Sequence, residues 1–207
     1  MNRPKIICIG FHKTGTTSLS DALSLLGFPI AHASEIFHAV SGNTYNEARM
    51  GTIVDDLPFR AELFDALCVG IDQSNGIQDS PAVFFYKELA EKYTDAKFVF
   101  TTRDRAKWIA SLVGFVADKS NPLRRYMYGV PRITGHEDVF LETFARYHND
   151  IRAFFKDSPN FREFDISKGE LTWENLLEFL GKDFYPDVDH AGALTQEFPR
   201  SNVNIKT

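Results

Sequence analysis

The sequence predicts an α/β fold: a three-layer sandwich with a central parallel sheet of about five strands. Short, largely apolar runs, such as residues 6–9 and 97–102, are typical of strands that are buried on both faces of a sheet. Stretches with apolar residues at helical spacing follow these runs, and this alternation of strand and helix is characteristic of parallel sheets. At 207 residues the chain has the usual length of one such unit, so we expect a single domain over residues 1–207.

Composition and charge narrow the classes of function. A net charge of −5 argues against nucleic acid as the main partner, so an anionic ligand would need a local basic site. The apolar run after residues 1–5 is too short for a signal peptide or a membrane span, and we expect a cytoplasmic protein without membrane contact. Cys8 and Cys68 stand in apolar surroundings, which predicts buried thiols. No His/Cys cluster has the spacing of a zinc site, so we expect no metal.

A glycine-bounded loop follows the first strand. Gly10 and Gly15 bracket this loop, and the leucine-rich helix after it ends at Gly27. A strand, such a loop and a helix N-terminus together form a cradle for phosphate, because the backbone N–H groups point inward and the helix dipole favours an anion. The glycine spacing is that of a nucleotide-triphosphatase P-loop. Thr16, however, occupies the lysine position of that motif, and Lys13 stands three residues earlier.

The next part of the chain is less regular. Residues 28–32 predict a short strand and residues 34–40 a helix of a turn or more. Residues 41–60 have a mixed composition that indicates loops around one or two short helices, and no role can be read from residues 41–65. The apolar run at 67–71 predicts a buried strand that ends at Asp72.

A helix and a strand follow the polar loop at 73–78. Ser80 as N-cap and Pro81 at the first helical position predict a helix that continues to about residue 93. Arg103 stands at the carboxyl end of the strand over 97–102, the edge at which open α/β sheets bind ligands. Asp104 caps the next helix, in which Trp108 is interpreted as a packing residue.

The last third of the chain predicts a cover, two helices and a strand. Residues 118–133 indicate an irregular segment that could fold over a ligand. Thr134 and Glu137 form a capping box that begins a long helix. Residues 161–166 predict a strand, and residues 171–180 predict a helix that ends at a glycine.

Two motifs resemble the sulfotransferase family, whose donor is 3′-phosphoadenosine 5′-phosphosulfate (PAPS). The first is the run K-T-G-T-T-S-L that begins at Lys13. The second joins Arg103 to Ser111: in that family an arginine at a strand end and a serine eight residues later bind the donor's 3′-phosphate. A guanidinium and a hydroxyl suit that group. A looser resemblance to a bacterial-type branch of the family covers the carboxyl third and includes Arg200 in the run F-P-R-S-N.

The resemblance implies transfer of a sulfuryl group from PAPS to a hydroxyl or amine of a small-molecule acceptor, with 3′-phosphoadenosine 5′-phosphate (PAP) as product and no metal. Lys13 would hold the 5′-phosphate as negative charge develops on it. The residues implied to bind the donor are His12, Lys13, Thr14, Gly15, Thr16, Thr17, Ser18, Arg103, Ser111 and Arg200.

The general base is less well defined. In the cytosolic branch of the family a histidine precedes a leucine-proline pair just ahead of the corresponding helix. Here the triplet is Asp-Ser-Pro, so Asp79 takes that position. A helix N-terminus favours the ionised carboxylate and would make Asp79 a poorer base. Asp72 and His12 are the alternatives.

Two other classes of function stay open from the sequence. One is a small-molecule kinase that uses ATP and Mg²⁺, against which the position of Lys13 and the Arg103–Ser111 pair both argue. The other is a non-catalytic protein that binds PAP. The acceptor and the oligomeric state cannot be read from the sequence.

Overall fold

The structure is a computed structural model and describes residues 4–41, 57–116, 119–181, 192 and 195–200. Its five strands are β1 (Ile6–Cys8), β2 (Ala31–His32), β3 (Gly76–Gln78), β4 (Lys97–Thr102) and β5 (Phe161–Asp165). They form one sheet in the order β2-β3-β1-β4-β5, and every neighbouring pair is parallel. The prediction of a parallel sheet of about five strands is therefore confirmed.

Helices cover both faces of this sheet. They are α1 (Thr16–Leu25), α2 (Ala33–Val40), α3 (Leu57–Asp72), α4 (Tyr86–Lys92), α5 (Arg105–Val116), α6 (Pro122–Tyr128), α7 (Glu137–Phe154) and α8 (Trp173–Leu180). Successive side chains of a strand point to opposite faces. Ile6 and Cys8 accordingly pack with side chains of α1 and α8, while Ile7 packs with α2, α3, α5 and α7 on the other face. The result is the three-layer arrangement that the sequence predicts.

The centre of the sheet is β1, which pairs with β3 on one side and β4 on the other. Its three residues are fully buried. The strands β1 and β3 approach each other closely at Gly76 of β3, where an added Cβ would lie 1.8 Å from the carbonyl oxygen of Ile6 in β1. Because β3 and β4 flank β1, the segments that follow these three strands meet at one edge of the sheet.

The prediction of a strand over residues 67–71 is wrong. These residues belong to α3, and the strand is β3, which lies within the segment interpreted as a polar loop. A short apolar run fits a buried helix as well as a strand. The burial pattern shows the helical period: Leu63, Leu67 and Ile71 are buried, whereas Val69 is 53% exposed.

Two predicted helix starts and one segment predicted to be irregular also need correction. Ser80 caps no helix, since a 3₁₀ turn at Ala82–Phe85 comes first and α4 follows it. The segment interpreted as irregular contains α6, whose N-cap Asn121 accepts hydrogen bonds from the next turn. The helix α7 begins after His136, so Thr134 does not form the predicted capping box.

The structure agrees with the expectation for the two cysteines. Cys8 and Cys68 are both buried, unpaired thiols, as predicted. Within the described ranges, no helix combines the length and the apolar character needed to cross a membrane.

Candidate active site

The loops after β3, β1 and β4 meet at the carboxyl edge of the sheet. The glycine-bounded loop lies in the middle, between Asp79 after β3 and Arg103 after β4. Ligands of open α/β sheets bind at this edge. The sheet order therefore brings together side chains that are far apart in the sequence.

The glycine-bounded loop is held by the strand beside it. At Gly10 an added Cβ would lie 1.9 Å from the Thr101 hydroxyl of β4, so only glycine fits there. The Thr14 side chain is fully buried; its hydroxyl donates to the carbonyl oxygen of Phe11 and lies 2.9 Å from the Thr101 hydroxyl. The Thr14 side chain thus stabilises the loop from inside.

Two cations stand on the ligand side of the loop. The Arg103 guanidinium donates to the carbonyl oxygen of Lys13 over 3.2 Å, and the Lys13 ammonium lies 4.0 Å from the centre of the Phe115 ring. Burial and the nearby Arg103 lower the pKa of Lys13. Both effects disfavour the charged form, so an anion bound at this loop would offset them.

The first turn of α1 completes the loop. Gly15 is its N-cap in a left-handed conformation, φ 95°, that favours glycine. Thr16 is buried, Ser18 is half-buried and Thr17 is exposed. A helix N-terminus at this place stabilises an anion through the aligned backbone dipoles.

Ser111 and Arg200 stand further from the loop in the sequence. Ser111 is half-buried on α5, one residue before the buried Leu112. Arg200 is exposed and follows Phe198, whose ring packs at 5.0 Å on Trp173 of α8. Within the part of the chain that the structure describes, Arg200 has no contact with the loop.

A cavity of about 250 Å³ opens beside the loop. Its walls combine charged groups with apolar side chains from α5 and α6. The lining residues are His12, Lys13, Ser34, His38, Asp79, Ser80, Leu112, Phe115, Asn121, Leu123, Arg124 and Met127. A volume of this size suits a small molecule.

Asp79 is the carboxylate in the cavity wall. One of its oxygens accepts a bond from the Ser80 backbone N–H at 2.7 Å, and the other accepts from the Ser34 hydroxyl at 3.1 Å. Burial raises the pKa of Asp79, and the two hydrogen bonds lower it by less. The expectation that a helix N-terminus would make this carboxylate a poorer base is therefore wrong: no α-helix begins here, and desolvation dominates.

His12 lies in the same wall with both ring nitrogens near hydroxyls. Nδ1 is 3.4 Å from the Ser80 hydroxyl and Nε2 is 3.3 Å from the Tyr128 hydroxyl, while the Trp108 indole N–H donates to the His12 carbonyl. Burial, then the charges of Arg124 and Lys13, lower the pKa of His12 to about 3. The ring is thus neutral at neutral pH and a weak base.

Asp72 lies away from the cavity. It ends α3 just before β3 begins, at the amino edge of the sheet, where Lys5 donates to its carbonyl oxygen over 3.5 Å. Its side chain accepts from the Tyr93 hydroxyl at 3.0 Å. This position removes Asp72 as an alternative base.

Among the residues described, no group of three or more His, Cys, Asp or Glu side chains could hold a metal ion.

The sequence interpretation missed several residues of the cavity, including Ser34 and Arg124. Ser34 reaches Asp79 through the pairing of β2 with β3, for which the sequence offers no local signal. For Arg124 a signal exists, because Asn121 followed by Pro122 is a helix start. Side chains of α6 form part of the cavity wall, so a prediction of this helix would have drawn attention to Arg124.

Comparisons with known proteins agree with this geometry. The family model described as "Sulfotransferase domain" matches residues 5–138. A curated relative, "Ava biosynthesis cluster protein M" of Aspergillus versicolor, is 30% identical over 110 residues, which are 52% of this chain and 41% of that protein. The matched stretch thus spans less than half the length of the relative. Shikimate kinase from Bacteroides thetaiotaomicron has a similar fold: TM-score 0.52, 15% identity, 79% of this chain and 86% of that one.

Proposed function

The chain belongs to the sulfotransferase family, and from this premise we propose that it transfers a sulfuryl group from PAPS to a hydroxyl or amine of a small-molecule acceptor. One observation carries the proposal: Lys13 and the half-buried Asp79 line the same cavity. Sulfuryl transfer needs a cation where the donor's leaving phosphate gains charge and a base where the acceptor loses its proton. The cavity wall offers one group for each role.

The residues present suit the donor, which carries anionic groups at both ends of its ribose. Lys13 and the first turn of α1 would hold the 5′-phosphate end, and Arg103 with Ser111 would hold the 3′-phosphate. The hydrogen bond from Arg103 to the Lys13 carbonyl oxygen supports this assignment, because it holds the two cations close together at one loop. When bound, PAPS supplies the sulfuryl group.

The chain's own groups would then act by position and charge. Asp79 would accept the proton that the acceptor's hydroxyl or amine loses as its bond to sulfur forms. Ser34 and the Ser80 N–H orient that carboxylate, and its raised pKa makes it a stronger base than an exposed aspartate. Lys13 would offset the charge on the phosphate oxygen that is released.

The two alternative functions have weaker support. The likeness to shikimate kinase concerns the fold alone, and the P-loop lysine position is Thr16 in this chain. The strand β4 ends in Thr101-Thr102 and is followed by Arg103, without the carboxylate by which P-loop enzymes hold Mg²⁺. A protein that only binds PAP has no need of a half-buried carboxylate beside the loop, where its desolvation costs free energy.

Replacing Asp79 tests the proposal. We expect the wild-type protein to transfer label from PAPS to at least one member of a panel of small alcohols, phenols and amines. Asp79→Asn should slow that transfer by about a hundredfold or more while PAP binding persists. Asp95→Asn, at an exposed position, is the matched control. Equal rates for Asp79→Asn and the wild-type protein would exclude Asp79 as the base.

A further inference from the structure

Arg124 is a buried cation in the wall of the cavity. Only 7% of the residue is exposed, and it lies on α6, whose side chains form part of the cavity wall. Its Nε donates to the carbonyl oxygen of Pro131 over 3.4 Å, and one terminal nitrogen donates to the carbonyl oxygen of Lys119. These bonds fix the guanidinium and leave the other terminal nitrogen without a hydrogen-bond partner among the described residues.

No carboxylate pairs with this cation in the part of the chain that the structure describes. Asp79 lines the same cavity, yet it forms no ion pair with Arg124. A buried charge without a counter-ion is costly, and such groups are normally paired or hold a ligand. Burial lowers the pKa of Arg124, as expected for a desolvated cation.

The charged residues that line the cavity also carry an excess of positive charge. Lys13 and Arg124 contribute two cations, against the one carboxylate of Asp79. The donor's leaving group would engage Lys13, which leaves Arg124 unmatched. Apolar side chains of Leu112, Leu123 and Met127 complete the wall.

We propose that the acceptor is a small organic anion whose carboxylate or phosphate group binds Arg124 while its hydroxyl or amine approaches Asp79. The inference rests on the proposed function, because it assigns the acceptor to the cavity beside the donor loop. A guanidinium offers two parallel N–H groups to either anion. The apolar body of the acceptor packs against α5 and α6.

Calorimetry on the PAP-saturated protein tests this proposal by measuring the affinity of small anions and of their neutral counterparts. The probes are 4-hydroxybenzoate, 4-hydroxyphenylacetate and 3-(4-hydroxyphenyl)propionate, each against its own primary amide, with 4-hydroxybenzylphosphonate as the phosphate analogue. The best anion should bind about tenfold or more tightly than its matched neutral compound, as expected for charge-assisted hydrogen bonds. For the phosphonate, the neutral reference is 4-hydroxyphenylacetamide. If no anion exceeds its amide, the inference is wrong.

Variants at two neighbouring arginines locate the effect. Arg124→Gln should abolish the preference for anions, Arg124→Lys should keep part of it, and Arg125→Gln, on the same helix, should leave it unchanged. Circular dichroism identifies a variant that does not fold. If Arg124→Gln does not fold, the comparison of anions with amides on the wild-type protein and on Arg124→Lys decides whether the inference holds. A folded Arg124→Gln protein that keeps the preference, or that loses PAP affinity, would overturn the assignment to the acceptor. Failure of the wild-type protein to bind PAP would instead contradict the proposed function.

Discussion

Burial acts on the two candidate bases in opposite directions. It raises the pKa of the Asp79 carboxyl and lowers that of the His12 imidazole to about 3, because desolvation favours the neutral form of each group. Asp79 becomes a stronger base and His12 a weaker one. The sequence places both residues near the loop, but their relative strength depends on surroundings that only the fold creates.

In the proposed mechanism, Lys13 is the residue whose charge matters most during transfer. Lys13→Ala should raise the barrier by roughly 2–4 kcal/mol, the usual effect of removing one group that stabilises a developing anion. Its effect on PAP affinity should be smaller, and the exposed Lys87→Ala serves as control. Single-turnover rates with PAPS measure the difference. A Lys13→Ala protein with the wild-type rate would remove this residue from the mechanism.

His148 should make the fold sensitive to acid. Its Nδ1–H donates to the Phe144 carbonyl at 2.7 Å, Nε2 has no partner among the described residues, and burial lowers its pKa to about 4. Between pH 6.5 and pH 4 the unfolded chain therefore binds a proton that the folded protein does not, so the free energy of unfolding falls as the pH falls.

Replacing His148 should remove its share of that slope, at most about 1.4 kcal/mol per pH unit. Urea unfolding of His148→Leu across this pH range measures it, with the exposed His136→Gln as control. If the His148→Leu protein keeps the wild-type slope, the buried imidazole does not cause it.

At the scale of elements, the sequence predicted best where a single strand or helix carries its own signal. The strands β1, β4 and β5 and the helix α1 appear close to their predicted positions. The strand β3 was missed because it has three residues and begins with Gly76, so that its pairing with β1 and β2, and not a local signal, defines it. The glycine-bounded loop and Arg103 were consequently predictable, whereas the cavity wall that α6 contributes was not.

Gly76 should tolerate no side chain. Gly76→Ala would place a methyl group 1.8 Å from a backbone oxygen of β1, and we expect a loss of at least about 3 kcal/mol of stability. Gly114→Ala is the matched control: an added Cβ on α5 meets nothing within 4 Å, and alanine should stabilise the helix by about 0.5–1 kcal/mol. Chemical denaturation measures both. Equal effects would contradict the register of β1 and β3.

At the scale of the whole molecule, the strand order creates the site. With β3 and β4 on either side of β1, the segments carrying Asp79, Lys13 and Arg103 converge although they are distant in the sequence. The protein carries a net charge of −5, yet the loop concentrates cations. An anionic donor is therefore attracted by this local field and not by the molecule as a whole.

The central claim is that the protein takes PAPS as its donor. The relative affinity for PAP and ADP tests this claim most directly, and the measurement needs no knowledge of the acceptor. Calorimetry compares PAP with ADP, each with and without Mg²⁺. PAP should bind at least about tenfold more tightly than ADP and without Mg²⁺, because Arg103 and Ser111 would recognise the 3′-phosphate that ADP lacks. Arg103→Ala should erase most of that preference, and Arg105→Ala, exposed on α5, should keep it. Tight, Mg²⁺-dependent binding of ADP with no preference for PAP would contradict the account and favour a kinase.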